Sequence, residues 1–132
     1  MRRFVIIAFV LLAGCPTQRT PPRDHWHRLA AEADRMTSTF RGIAWEQDML
    51  PVHNAFWAGI VASCGPGART AGVPKFEAIA VINRDGVVAD YLPNPDVPAL
   101  QCFTKQMTGR KYPAPPESPF YERYTIDLNA GS

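Results

Sequence analysis

Phe76-Glu-Ala-Ile-Ala-Val-Ile82, Asn83-Arg-Asp-Gly86 and Val87-Val-Ala-Asp-Tyr-Leu92 form one continuous stretch, and its reading decides the fold. The first and third segments are β-branched, aromatic and apolar, which suits strands. The middle one is a tight turn, with Gly86 free to take a positive φ. Together they predict an antiparallel hairpin. Pro93-Asn94-Pro95 ends it. Asp96 then caps a short helix over about 97–108, with Pro98 in its first turn and Leu100, Phe103 and Met107 on its apolar face. Gly109 closes that helix, and Lys111-Tyr-Pro-Ala-Pro-Pro116 is rigid and extended. Over 119–128, Phe120, Glu122, Tyr124, Ile126 and Leu128 alternate with Tyr121, Arg123, Thr125 and Asp127, which predicts a final strand.

Upstream, the period changes from two to that of a helix. Trp26, Leu29, Ala33, Met36, Phe40 and Ile43 form one stripe, so residues 24–43 read as a helix capped by Asp24 and ended or bent at Gly42. A second helix is expected over about 48–63, with Asp48 as cap and Pro51 near its start. Met49, Val52, Phe56 and Ile60 line one side of it; Leu50, Trp57, Val61 and Cys64 line another. Gly65-Pro66-Gly67 should stop it, leaving 65–75 as a loop. The resulting order is α-α-β-β-α-β. The expected fold is α+β: two N-terminal helices packed on a small antiparallel three-stranded sheet with one further helix. Three strands cannot bury themselves, so helices must cover at least one face.

The chain has 132 residues, 46% of them hydrophobic and 20% charged, with 13 prolines and 9 glycines. That suits one domain with one core and excludes a coiled coil, a collagen-like repeat or a charged disordered tail. The first residues are an address. Arg2 and Arg3 precede an uncharged run, Phe4 to Gly14. This is too short to cross a bilayer, which takes about 20 residues, and has the length of a signal-peptide core. The run ends in Leu12-Ala13-Gly14-Cys15, which resembles the bacterial lipobox. That resemblance implies cleavage before Cys15 and triple acylation of it, an anchor well above single-chain binding. The expected organisation is a signal peptide over 1–14, the lipidated Cys15 and a tether over 15–23, one domain over 24–128 and a tail over 129–132. Without Arg2 and Arg3 the chain holds 12 basic and 12 acidic residues. This balance gives no electrostatic support to a nucleic-acid partner. Cys64 and Cys102 are then an even pair in an exported protein, where a disulfide is the default. Two free thiols are the alternative. A redox pair is disfavoured because there is no C-x-x-C.

Residues 76–128 resemble the C-terminal domain of TonB and its relatives. The likeness rests on the Asp85-Gly86-Val87 turn, the short helix with Cys102, the Tyr112-Pro113-Ala114-Pro115-Pro116 element and the final alternating strand. It implies a ββαβ unit in the cell envelope that binds peptides or protein domains and does not catalyse. TonB itself carries a transmembrane helix and a long proline-rich stretch. Here a lipid anchor and a short tether stand in their place, so force transmission is not expected. If residues 119–128 form an edge strand, a partner peptide can add to it. Tyr121 and Tyr124 would supply contact area and Arg123 an ion-pair donor.

The enzyme signatures are weak. His25 and His27 are two apart and do not share a helical face. A zinc site needs about three converging ligands, and nothing requires His53 to join them. Asp85 is explained by the turn and Asp90 by a solvent-facing strand position. Ser63-Cys64-Gly65 is no nucleophile elbow, and Gly65-Pro66-Gly67 lacks the remainder of a phosphate loop. No metal, no cofactor and no catalytic residue is expected. The expected partners are a membrane, through the anchor, and another envelope protein or peptide. A stand-alone structural or small-ligand- or lipid-binding lipoprotein is the alternative. Pro16 is not the Asp of inner-membrane retention, which favours the outer membrane.

Overall fold

The computed structural model describes residues 22–130. The signal segment, Cys15 and most of the expected tether lie outside the described residues. The element order is α1 (Pro22–Thr37), α2 (Phe40–Thr70), β1 (Lys75–Ile82), β2 (Val88–Asn94), a 3-10 turn (Pro98–Leu100), α3 (Gln101–Met107) and β3 (Phe120–Asp127). This is the α+β layout expected from the hydrophobic periods. The three strands pair antiparallel in the order β2-β1-β3, so β1 is central.

The helical boundaries differ from those the stripe suggested. α1 begins at Pro22, so Pro22 and Arg23 are helical and not tether, and Asp24 lies inside the first turn. The break between the helices is not at Gly42 but at Thr37-Ser38-Thr39. Their hydroxyls donate to Ala33 O, Arg35 O and Met36 O at 2.9, 2.8 and 2.9 Å, competing with the helical ladder. Thr39 turns extended (φ −75°, ψ 154°), and its Oγ1 accepts from Gly42 N–H to cap α2. Gly42 sits where a Cβ would run into the Met36 carbonyl. Beyond this break the stripe loses phase. Phe40 is 87% exposed and Ile43 46%.

α2 is far longer than the expected 48–63 and runs through both Pro51 and Pro66. Each proline removes a bond to the carbonyl four residues back, of Gln47 and Ala62. Both prolines and both partners lie on the exposed face, where water takes those carbonyls. The loop before β1 shrinks to 71–74. Leu50 and Val52, placed on core stripes from sequence, are exposed. Trp45, Met49, His53, Ile60, Cys64 and Ala68 form the buried line instead.

The sheet has a helix layer on each face. Phe76, Ala78, Ala80 and Ile82 of β1 share a face with Tyr91 of β2 and with Phe120, Glu122, Tyr124 and Ile126 of β3. That face meets α2 and α3. Trp45 lies 4.7 Å from Phe120 and Phe103 4.9 Å from Phe76, centroid to centroid. Ala78 and Ala80 are opposite Tyr124 and Glu122, so small residues in the central strand make room for large ones beside it. On the other face, Ile79 is buried together with Ala30 and Ala33 of α1. α1 is held there by Trp26 Nε1–H donating to Leu92 O (3.0 Å) and by Arg123 bridging Asp34 and Glu77 (2.8 and 2.7 Å).

Two local devices complete the frame. Asn83 Oδ1 accepts from Asp85 N–H and Val87 N–H, which shapes the hairpin turn. Gly86 (φ +84°) closes it, and its carbonyl accepts from Tyr112 N–H at 2.9 Å. A Cβ at Gly86 would strike the Tyr112 carbonyl, so this glycine lets the 110–113 segment lie against the turn. The second device is the Cys64–Cys102 disulfide, Cα–Cα 5.5 Å, which ties α2 to α3.

Candidate functional site

The outer edge of a sheet exposes backbone groups unless something takes them. On β2 most of them are taken. Val88 bonds the 109–110 backbone in both directions, at 2.8 and 2.9 Å. Tyr91 N–H donates to Asp90 Oδ1, and Tyr91 O accepts from Thr104 Oγ1. Pro93 has no N–H to offer.

On β3, alternation turns the backbone groups of Tyr121, Arg123, Thr125 and Asp127 away from β1. α1 closes the first of these positions, where Tyr121 N–H meets Met36 Sδ at 3.4 Å. At the far end Asp127 O accepts from Ala130 N–H, and the Asp127 carboxylate pairs with Lys75 at 3.1 Å. In between, the edge has no hydrogen-bond partner among the described residues, and Thr125 is exposed. At about 3.4 Å per residue, Arg123 to Asp127 offers roughly 14 Å of strand edge.

A groove of about 610 Å³ runs beside this open stretch. One wall is α2, through Trp57, Ala58 and Val61. The other is Tyr124 to Leu128, with His53 also lining the groove. A second groove of about the same volume lies between Trp26 of α1 and the 90–96 segment. It borders the edge on which Val88 and Tyr91 are already bonded.

Behind the first groove lies a polar cluster within the aromatic core. The hydroxyl of Tyr124 donates to that of Tyr112 (3.0 Å), which lies 2.8 Å from His53 Nδ1. The His53 ring stacks on Tyr124 and Trp57, 5.0 Å from each. Burial holds the imidazole neutral, its pKa lowered to about 4. Burial likewise raises the Tyr112 phenol to about 12 and those of Tyr91 and Tyr124 well above the ordinary range. Glu122 is only 5% exposed. Burial and the neighbouring Glu46 carboxyl push it up to about 8, so it is protonated at neutral pH. Glu122 Oε2 and Tyr91 Oη have no hydrogen-bond partner among the described residues.

The site residues named from sequence divide three ways. Tyr124 lines the groove, although its hydroxyl is engaged inward. Tyr121 and Arg123 face α1. Arg123 is held by Glu77 and Asp34 and lies over the Trp26 ring at 6.0 Å, so it helps to hold α1 to the sheet. Cys64 and Cys102 are joined. His25 and His27 are exposed on α1, while His53 is buried on the opposite face of the sheet. Among the described residues no three His, Cys, Asp or Glu side chains converge as a metal site would require. Nor is any helix among them long and apolar enough to cross a membrane.

Sequence reasoning missed the burial of Glu122 and the Glu46, His53 and Tyr112 cluster. The signal for Glu122 was its phase, shared with Phe120, Tyr124 and Ile126. For His53 it was a position four residues after Met49 on one helical face. Comparison with known protein families, with curated proteins and with solved structures finds no match.

Proposed function

We propose that this chain is a lipid-anchored, non-catalytic adaptor of the cell envelope. It binds an extended segment of another envelope protein by strand addition at β3. The observation that carries the reading is the open stretch of β3 between Arg123 and Asp127, bordered by a groove with aromatic and aliphatic walls. Main-chain hydrogen bonds at such an edge supply affinity, and the groove supplies selection among side chains. The Leu12 to Cys15 lipobox supports the anchor, and the TonB-like pattern over 76–128 supports a peptide-binding rather than a catalytic role. On this reading the anchored domain faces the periplasm, at the outer membrane.

The test places a photo-crosslinking residue at Thr125, at Ala58 or at Arg84, the last being exposed in the hairpin turn away from the groove. Crosslinking is done in intact cells and read by mass spectrometry. The expected result is the same envelope partner from Thr125 and Ala58, absent from Arg84 and depleted in a Cys15→Ala chain. Identical products from all three positions, or none, would rule the reading out. The groove beside Trp26 favours the second reading, a small-ligand lipoprotein. A stoichiometric small molecule in natively purified chain, detected by native mass spectrometry, would support that instead.

A further inference from the structure

The polar cluster assigns a specific job to one side chain in the groove. Tyr124 donates its only hydroxyl hydrogen to Tyr112, so the Tyr112 hydrogen is free to point at His53 Nδ1, 2.8 Å away. With the Tyr112 hydrogen in that direction Nδ1 is the acceptor, and a neutral imidazole with an acceptor at Nδ1 carries its hydrogen on Nε2. The ring is held in that orientation by stacking on Tyr124 at 13° and on Trp57 at 25° between planes. Turning it over would forfeit the Tyr112 bond. Nδ1 faces Tyr112 and His53 lines the groove, so Nε2 lies on the side of the ring away from Tyr112. No acceptor for it is found among the described residues.

Resting on the strand-addition reading, we propose that His53 Nε2–H is the specificity-determining donor of the groove. It donates to a backbone carbonyl of an uncharged, extended peptide segment seated along Thr125. Charge selects this occupant. α2 has no Asp, Glu, Lys or Arg between Asp48 and Arg69, so its wall offers a charged side chain no counter-ion. On the opposite wall Asp127 is anionic and already paired with Lys75. A carboxylate acceptor would lose its water there beside a like charge, whereas an amide carbonyl loses little. The groove thus accepts apolar side chains and one well-placed carbonyl.

The test uses the full chain and a displayed library of random short peptides as the probe. Enriched peptides are expected to be uncharged and apolar at alternating positions. Thr125→Pro, which removes an edge N–H at a position where proline is tolerated, should abolish their binding. His53→Asn keeps an acceptor for Tyr112 but has no distal donor, and should weaken binding about fivefold to tenfold. His53→Gln carries an N–H donor near the Nε2 position and should recover most of that loss. If no peptide depends on Thr125, strand addition fails and the His53 assignment fails with it. If binding depends on Thr125 but the Asn and Gln variants bind alike, or acidic peptides dominate, strand addition stands and the His53 assignment falls. Nitrogen-15 NMR of histidine in the unmodified chain checks the donor independently of any variant's folding. The Nε2–H tautomer is expected, and the Nδ1–H tautomer would overturn the proposal.

Discussion

Glu122 and His53 oppose each other in proton linkage, and their balance shapes how stability depends on pH. The ordinary value for Glu122 is 4.5, and the fold raises it to about 8. Between those values the folded chain holds a proton that the unfolded chain has lost, so stability falls as pH rises. His53 moves the other way, from 6.5 down to about 4. Between those values the unfolded chain binds the extra proton, so stability falls as pH drops. From about 4.5 to 6.5 the two slopes cancel in large part; from 6.5 to 8 only the Glu122 slope remains. A melting-temperature profile should therefore be flat in mildly acid buffer and decline between pH 6.5 and 8. Glu122→Gln should remove that decline and stabilise the chain at pH 8 by on the order of 2 kcal/mol. A wild-type profile that is level between pH 6.5 and 8 would contradict the assignment. The phase of Glu122 in the final strand was legible in the sequence. Its partner Glu46 was not, because they meet only when α2 crosses β3.

Among the elements, α2 depends most on its neighbours. Its two prolines and four glycines, at 42, 59, 65 and 67, make it a poor isolated helix. Burial of the line from Trp45 to Ala68 and the tie at Cys64 compensate. Closing a loop with 38-residue separation contributes about 4 kcal/mol in the chain-entropy model. Cys64→Ser with Cys102→Ser should lower the unfolding free energy by an amount of that order in urea titrations under oxidising conditions. Adding reductant to the wild type should reproduce the loss, and if it does not, the disulfide does not form in the protein. At the other end, Gly42→Ala should destabilise by about 2–3 kcal/mol, since its methyl group displaces the Met36 carbonyl at the α1–α2 junction. Circular-dichroism melts would register that, and a neutral result would mean the junction relaxes. The alternating strands and the glycine turn could be read locally. The helix break could not be placed, because the hydroxyl residues Thr37, Ser38 and Thr39 end α1 five positions before Gly42.

Across the whole molecule, the fold decides where an open sheet edge is left. The 109–110 segment and α3 bond the β2 edge, and α1 passes from one face of the sheet around the Tyr121 end of β3. Arg123 helps to hold it there. A double-mutant cycle of Arg123→Ala and Asp34→Ala should give a coupling of roughly 0.5 kcal/mol, small because the Asp34 side chain is more than half exposed. A coupling near zero would leave the Trp26–Leu92 bond and the buried alanines as the contacts that seat α1. At Thr125 no hydrogen bond to the β3 edge is found among the described residues.

The sequence by itself determined the fold class, the hairpin and its turn, the face of the final strand and the pairing of Cys64 with Cys102. All of these follow from local periods, turn chemistry and the pair of thiols that the domain itself carries. Only the tertiary structure decided which backbone groups of β3 lack a partner among the described residues, that Arg123 ties α1 to the sheet, and that His53, Tyr112 and Tyr124 share one hydrogen-bonded chain. Those outcomes join residues some 12 to 89 positions apart, and no local pattern encodes which surfaces a folded chain will bring together.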